Sequence, residues 1–551
     1  MAYKTLLDRS QINLFPVCLE DSIAADNIVR VIDAFVNWLD LKDLKFKHAK
    51  DNIKGASMYP PAVLLKLYLY GYLNRIRSSR RLGSECARNV ELFWLLQRSA
   101  PQYHTIADFR KDNAGALKEV FKQFTQFCIT LSLIEGKTVV VDGTKIRAQN
   151  NKSNNFTAGR LEKLLARMDV KMNEYQGYET YLKELDEQDT EEATKPVNPI
   201  PVGKTKADIE NTLKLLKERY LRYKSYQDKL KAAAASEDFK TEDLQISTVD
   251  PDARSMSFRQ MQTEVGYNVQ TVADEKNSLI IHFEVTNVND ANALSVLTKD
   301  VKEVLHAGKT QTIAVLADAG YHTAAELEKC IGQGMNTYVC PPDVAAAQGK
   351  TGVDTEKFSK DKFIYDARED AYTCPNQQKL KSNGVWYEQK KTPERRKAVK
   401  YKQYTLPSAV CRACPFAGQC QGNRKKQWHG KTIQHGEHES AVRANAERMS
   451  SDRAAYEKRK RVIEHPFGTI KRGWGYYYTL VKTKKKVGGE FALIYVCYNL
   501  RRVSNILGVK ELVKALNTLI LSIPTQCKQL KGGFFKEQRI TPVFSNRLQI
   551  A

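Results

Sequence analysis

Three acidic residues, far apart in the chain, each sit where a carboxylate is chemically useful. Asp142 closes the strand-like run Lys137-Thr-Val-Val-Val-Asp142-Gly143, and Asp318 closes a second, Thr312-Ile-Ala-Val-Leu-Ala-Asp318-Ala-Gly320. Glu464 lies in Tyr456-Glu-Lys-Arg459-Lys-Arg-Val-Ile-Glu464-His-Pro-Phe-Gly-Thr-Ile-Lys471. In phosphodiester cleavage, two Mg²⁺ ions ~3.5–4 Å apart activate the attacking oxygen and relieve charge on the leaving one. Mg²⁺ takes oxygen ligands and keeps some of its waters, so three carboxylates are enough for a substrate-bridged pair, in which Mn²⁺ can substitute. Taken singly, Asp-Gly is ordinary turn chemistry, and a charged helix is usually a solvated one. As a set, Asp142, Asp318 and Glu464 are expected to be catalytic and to hold two Mg²⁺.

Such residues need elements that gather them. Asp142 and Asp318 converge if their strands are adjacent and parallel, and Glu464 must then arrive on a helix packed against that sheet. The pattern predicts strands over 137–146, 264–272 and 278–286, one ending at Asp318, and one at 335–341. Helices are expected over about 289–306 and 323–333, so the order of elements indicates a mixed α/β sheet. Residues 441–463 are rich in Ala and charge and read as helix, and 489–505 and 509–522 read as closing helices. Pro466 has no N–H for the Val462 carbonyl and biases His465 away from the α region, so a kink or break is expected beside Glu464.

Two insertions separate the acids. Residues 155–250 carry two heptad tracks, Leu161, Leu165, Met168, Met172, Tyr175, Leu182 and Ile209, Leu213, Leu216, Tyr220, Tyr223, Gln227, Leu230, joined by the Pro-containing segment 188–204. Their alternating spacing predicts an antiparallel helical hairpin. It either pairs only within the chain or serves dimerisation and reach along DNA. Residues 343–440 are polar, and Cys411, Cys414 and Cys420 with Cys374 make a Cys₄ set able to close a structural zinc site. The plainer reading is four reduced thiols.

Residues 1–130 read as helical. Ser78 is placed to cap a helix bearing Arg80 and Arg81, and Thr105 one bearing Arg110. Short capped helices with basic first turns suit helix-turn-helix docking on DNA, and equally a plain helical bundle. Past Glu464, Lys471-Arg472-Gly-Trp474-Gly-Tyr-Tyr-Tyr478 runs on to Lys484-Lys485-Lys486. Cations neutralise phosphates and aromatics stack on unpaired bases, although the same stretch also fits aromatic packing under a lysine loop. The expected DNA contacts are Arg80, Arg81, Arg110, Tyr456, Arg459, Lys471, Arg472, Trp474, Lys484 and Lys485.

The net charge of +24 and pI near 9.4 favour a polyanionic partner, most simply nucleic acid. No apolar run reaches the ~18–20 residues that span a bilayer, and the N-terminus lacks a signal-peptide pattern. Eleven mostly scattered cysteines fit a reducing compartment, so a cytoplasmic protein is expected.

Asp142-Gly-Thr, Ala317-Asp318-Ala-Gly-Tyr321 and the Tyr456, Arg459, Glu464, Lys471 signature together resemble a DDE-type transposase of bacterial insertion sequences, nearest to the eleven-eighty-two family. Asp250-Pro-Asp-Ala-Arg254, Gly266-Tyr-Asn-Val-Gln270, Val285-Thr-Asn287, Glu464-His-Pro-Phe-Gly468 and Tyr498-Asn-Leu-Arg501 match as well, as do Arg75–Leu82 and His104–Arg110. In the related pattern three residues separate Arg and Glu, whereas four lie between Arg459 and Glu464. The resemblance implies an RNase H-like core split by the two insertions, with 137–342 and 441–522 as its parts. It implies a helical domain at 1–130 that binds terminal inverted repeats, and 523–551 remains as a tail. Asp142, Asp318 and Glu464 would be the Mg²⁺-holding triad. The activity implied is cutting of element ends and joining of the 3′-hydroxyls to target DNA, in a homodimer or larger assembly on bacterial nucleoid DNA. The alternatives are a metal-dependent nuclease without strand transfer and a domesticated DNA-binding protein that no longer cuts.

Overall fold

Val139, Val140 and Val141 are fully buried in the first half of β1 (Thr138–Arg147), as β-branched residues are in a strand covered on both faces. The computed structural model describes residues 18–49, 58–187, 204–236, 244–258, 262–308, 311–341, 355–358, 360–389, 399–421 and 430–522. In it β1 pairs antiparallel with β5 (Thr263–Asp274) and parallel with β7 (Ile313–Ala317). β6 (Ile280–Thr286) and β4 (Arg254–Ser257) both pair antiparallel with β5, and β8 (Met335–Val339) pairs parallel with β7. The expected strands are all present, and Asp318 does follow the end of its strand. Asp142 does not: β1 continues through it to Arg147, so Asp142 sits inside the ladder and Gly143 pairs with Gln270.

Close approach explains one glycine of β5. A Cβ on Gly266 would press into the Ile146 carbonyl oxygen and lie 2.8 Å from the Phe258 ring. Since the obstacle is backbone, Gly266→Ala should destabilise the protein by about 2–4 kcal/mol. Denaturant unfolding that moved by less than about 0.5 kcal/mol would contradict this account of the strand.

Helices cover the sheet. α12 (Arg453–Phe467) lays Val462 and Ile463 on Val140, Ala273 and Leu316. The expected break beside Glu464 is absent, because α12 runs through Pro466 and widens into a π-helical turn, Gly468–Gly473. The break comes earlier, at Asp452, which ends α11 (Glu439–Ser451) and caps α12 by accepting from the Ala455 N–H at 2.9 Å. α13 (Lys484–Leu507) begins at the lysines, which the alternative reading places in a loop. Its first N–H groups are taken from outside: Thr483 N donates to Asp250 Oδ1 at 3.1 Å and Lys484 N to Asp252 Oδ2 at 2.8 Å. Asn499 bonds both the N–H and the C=O of Ile280, fixing α13 to β6. α6 (Ala114–Thr130) packs Phe121 edge-on to Phe283 of β6.

The helical insertion is α7 (Ala158–Glu187) packed on α8 (Lys206–Ser236), a pairing within one chain. Leu161, Leu165, Met168, Ile209, Leu213 and Leu230 are buried as the heptads require, but Tyr178 is buried where the track expected Tyr175. The joining segment falls mostly outside the described residues, as do the 523–551 tail and the first residues of the chain. The polar insertion has more core than its composition suggests. Phe363, Tyr372, Leu380, Tyr404, Leu406, Cys411 and Ile433 bury together on an antiparallel sheet ordered β13 (Thr432–Gly436), β12 (Val399–Thr405), β11 (Lys379–Gln389), β10 (Ala371–Thr373), β9 (Ile364–Asp366).

Contacts divide the chain into residues 107–499, which contain the elements above except the last residues of α13, and a unit of 1–106 with 500–551. The latter unit holds α1 (Ile28–Trp38), α2 (Pro61–Leu73), α3 (Ser79–Glu85) and α4 (Val90–Leu95), with α1 against the C-terminal helix Val509–Ser522. Pro61 opens α2, and Ser78 caps α3 through the Arg81 N–H, as expected. Thr105 is not a cap: α5 (Tyr103–Asp112) starts before it.

Candidate active site

The parallel pairing of β1 with β7 ends at Val141 opposite Ala317, so Asp142 and Asp318 are the next residues on two adjacent strands. Asp318 leaves its strand to cap the turn Ala319–Tyr321, its Oδ1 accepting from Gly320 N at 2.9 Å. Asp142 stays in the ladder opposite Thr271. Burial pushes its carboxyl up to about 7; the charge of Asp318 adds to this, while Arg459 and the Gly143 N–H oppose it. Two acids forced together in this way favour a bound cation.

Arg459 reaches them from α12, with Nη1 3.6 Å from Asp142 Oδ2 and its guanidinium 5.7 Å from the Tyr456 ring. It was expected on phosphate; instead it is half-buried beside a carboxylate. Glu464 lies five residues further along α12, about 140° around the helix from Arg459, and is exposed. The sheet thus brings Asp142 and Asp318 together with Arg459, while Glu464 points elsewhere on the helix.

A third acid stands nearer, one that the sequence does not single out. Asp290 opens the 3₁₀ turn Asp290–Asn292 after β6. Its Oδ1 accepts from Asn268 Nδ2 at 2.7 Å and Gln270 Nε2 at 2.6 Å. Both amides are buried on β5, and Tyr321 donates to Gln270 Oε1. Asp290 reaches the edge of the sheet because Gly143 has no side chain. A Cβ there would be 2.9 Å from Asn268 Oδ1, 3.0 Å from Gln270 Nε2 and closer still to Asp290 Oδ1. The glycine after Asp142 therefore serves close approach rather than a turn. The matching motifs Gly266–Gln270 and Ala317–Tyr321 supply the groups that hold Asp290, and those matches were its only sequence signal.

The donor set suits Mg²⁺. All the groups are oxygens, and Mg²⁺ needs only one or two carboxylates when substrate and water complete its shell. Among the described residues no three His, Cys, Asp or Glu side chains converge closely enough to cage a metal unaided.

Several expected DNA contacts are placed otherwise. Arg110 is buried with Glu490 4.0 Å away, so it is a structural counter-ion rather than a surface cation. Trp474 is buried against Tyr476. The exposed rings are Tyr477 and Tyr478, on a segment whose backbone bonds Arg147 at the end of β1. Lys471 donates to the Lys145 carbonyl at 2.9 Å, tying the π turn to β1. Arg472, Lys484 and Lys485 are exposed, as are Arg80 and Arg81 in the other unit.

Cys374, Cys411, Cys414 and Cys420 line one cavity of about 40 Å³. Amides point at three of the sulfurs: Gln378 N to Cys374 at 3.3 Å, Lys431 N to Cys411 at 3.2 Å and Asn376 Nδ2 to Cys414 at 3.5 Å. N–H donors of this kind orient thiolate ligands, so the residues fit a zinc, although the thiols do not converge on one point as they stand.

Adjacent strand aspartates thus lie beside a helix-borne cation. Residues 17–112 match the transposase domain family DUF772, and residues 373–504 match the transposase DDE domain family, a stretch holding all four cysteines and Glu464. Both are transposase families, so two separate stretches of the chain carry transposase sequence. No curated protein matches it. Among solved structures, a piggyBac transposase synaptic complex with hairpin DNA aligns over 92% of this chain and 82% of that one. Its identity of 8% and TM-score of 0.26 are too low to bear on the fold. Among the described residues no helix is long and apolar enough to cross a membrane.

Proposed function

We propose that the protein cuts the ends of its insertion sequence and joins the freed 3′-hydroxyls to target DNA, by Mg²⁺-dependent chemistry at Asp142 and Asp318. The observation that carries this reading is the position of those residues, each directly after the last parallel pair of two adjacent strands, in a chain with two transposase family matches. An RNase H-like core is supported by strand order. Taken in chain order, β1, β5, β6, β7 and β8 lie across the sheet as third, second, first, fourth, fifth, and β5 alone runs against the rest. Asp142 and Asp318 would hold the ions, which supply a polarised attacking oxygen and relief of leaving-group charge. Arg459 holds Asp142 in place and offsets its charge until the ions do. Glu464 belongs to the catalytic set by family resemblance, and the exposed side chain is free to meet DNA-bound metal. We place the protein in the bacterial cytoplasm, within the eleven-eighty-two family, acting as a homodimer or larger assembly on terminal inverted repeats and target DNA. A structural zinc on the four cysteines is part of the same proposal.

End cleavage in Mg²⁺, on DNA carrying the repeats that flank the reading frame, tests it. Asp318→Ala and Glu464→Gln should each lose about 10³-fold or more in rate. Cleavage retained in either removes that residue from the set. Cleaved but unjoined products would point to a nuclease, and binding without cleavage to a domesticated protein.

A further inference from the structure

We propose that Asp290 is a third carboxylate of the Asp142–Asp318 centre and contributes to its divalent-cation affinity. The inference rests on the reading of that centre as a metal site. Three observations support it. Asp290 is placed with care: Asn268 and Gln270, 1% and 0% exposed, both donate to Oδ1, and Tyr321 in turn donates to Gln270. Two buried amides turned onto one carboxylate oxygen fix its rotation, and among the described residues no hydrogen bond to Oδ2 is seen.

The second observation is where that oxygen points. The position of a Cβ on Gly320 would be 3.5 Å from Asp290 Oδ2 and 3.0 Å from Asp318 Oδ1, so both oxygens flank one small space. Across the sheet edge, the gap over Gly143 opens the same carboxylate towards the strand that carries Asp142.

The third is an orphan acceptor. Asn268 Oδ1 is buried, has no hydrogen-bond partner, and faces the gap over Gly143 beside Asp290. A buried acceptor without a donor costs free energy unless a cation or its water meets it. Around this gap the oxygens of Asp290 and Asn268 gather. Glu464, by contrast, is exposed on α12.

The test is Mn²⁺ binding to the full-length protein, read from the free-ion paramagnetic resonance signal at 10 °C, with far-UV circular dichroism as the folding control. Asp290→Asn keeps the shape and the amide contacts and removes the charge; it should weaken Mn²⁺ binding roughly tenfold or more. Asp290→Glu keeps the charge and should bind within about threefold of the unmodified protein. If Asp290→Asn binds like the unmodified protein while Asp318→Asn does not, the role of Asp290 is refuted and the metal centre stands. If Asp290→Glu loses as much as Asp290→Asn, the residue only packs, and the inference is likewise overturned. If neither Asp318→Asn nor Asp290→Asn changes binding, the metal-site reading falls, and this inference with it.

Discussion

Asp142→Asn is expected to abolish end cleavage while making the metal-free protein more stable at pH 8. Partial burial, and after it the charge of Asp318, pushes the carboxyl up to about 7 in the folded chain; in the unfolded chain it ionises near ~3.9. Below pH ~4 both states hold the proton, and the residue does not bias folding. Between about pH 4 and 7 the folded state keeps a proton that the unfolded state has released, so stability falls as pH rises. Above about 7 the penalty is complete, roughly 2–4 kcal/mol. Asparagine carries no such charge. Its variant should therefore unfold at a higher temperature than the unmodified protein at pH 8, and the gap should close towards pH 4. Mg²⁺ should stabilise the unmodified protein more than the variant, because the variant keeps Asp318 but has lost the Asp142 charge for the ion to neutralise. Thermal unfolding at pH 5 and 8, with and without Mg²⁺, reads all of this. An unmodified protein at least as stable as the variant at pH 8 without metal would show that Asp142 is not under the strain described.

Chelation should have the second large effect. If zinc closes the cavity lined by Cys374, Cys411, Cys414 and Cys420, its removal withdraws on the order of 10 kcal/mol from one small sheet module. The module has its own core around Tyr372, Leu380 and Tyr404, yet cores of that size supply only about 3–5 kcal/mol. It should therefore become protease-sensitive on chelation while the β1-centred sheet stays resistant. Metal analysis should return about one zinc per chain, and Cys411→Ser should abolish it. Full protease resistance with no zinc would make these cysteines packing residues. Cys411→Ser would then cost only about 1–3 kcal/mol, for a hydroxyl in an apolar site.

Legibility followed range. Strand placement was read from local pattern, because period and β-branching act within a few residues, and Val139–Val141 and Ile313–Ala317 appear as expected. Side-chain partners were not, because they are set by elements hundreds of residues away. Arg110 and Trp474 look like DNA contacts in their own segments; Glu490 and Tyr476 make them interior. Arg459 reads as a phosphate cation until the sheet brings Asp142 beneath it. Pro466 promised a kink or a break, but α12, packed on the sheet through Val462 and Ile463, runs through it without breaking.

From the sequence alone came the acids, the order of strands, the cysteine set and the basic charge, since residue types and short-range periodicity suffice for these. The tertiary structure decided which acids meet. Parallel register sets Asp142 beside Asp318, a missing side chain at Gly143 admits Asp290, and helix rotation leaves Glu464 exposed. Register, close approach and helix rotation are fixed by packing between distant segments, and no local pattern encodes them.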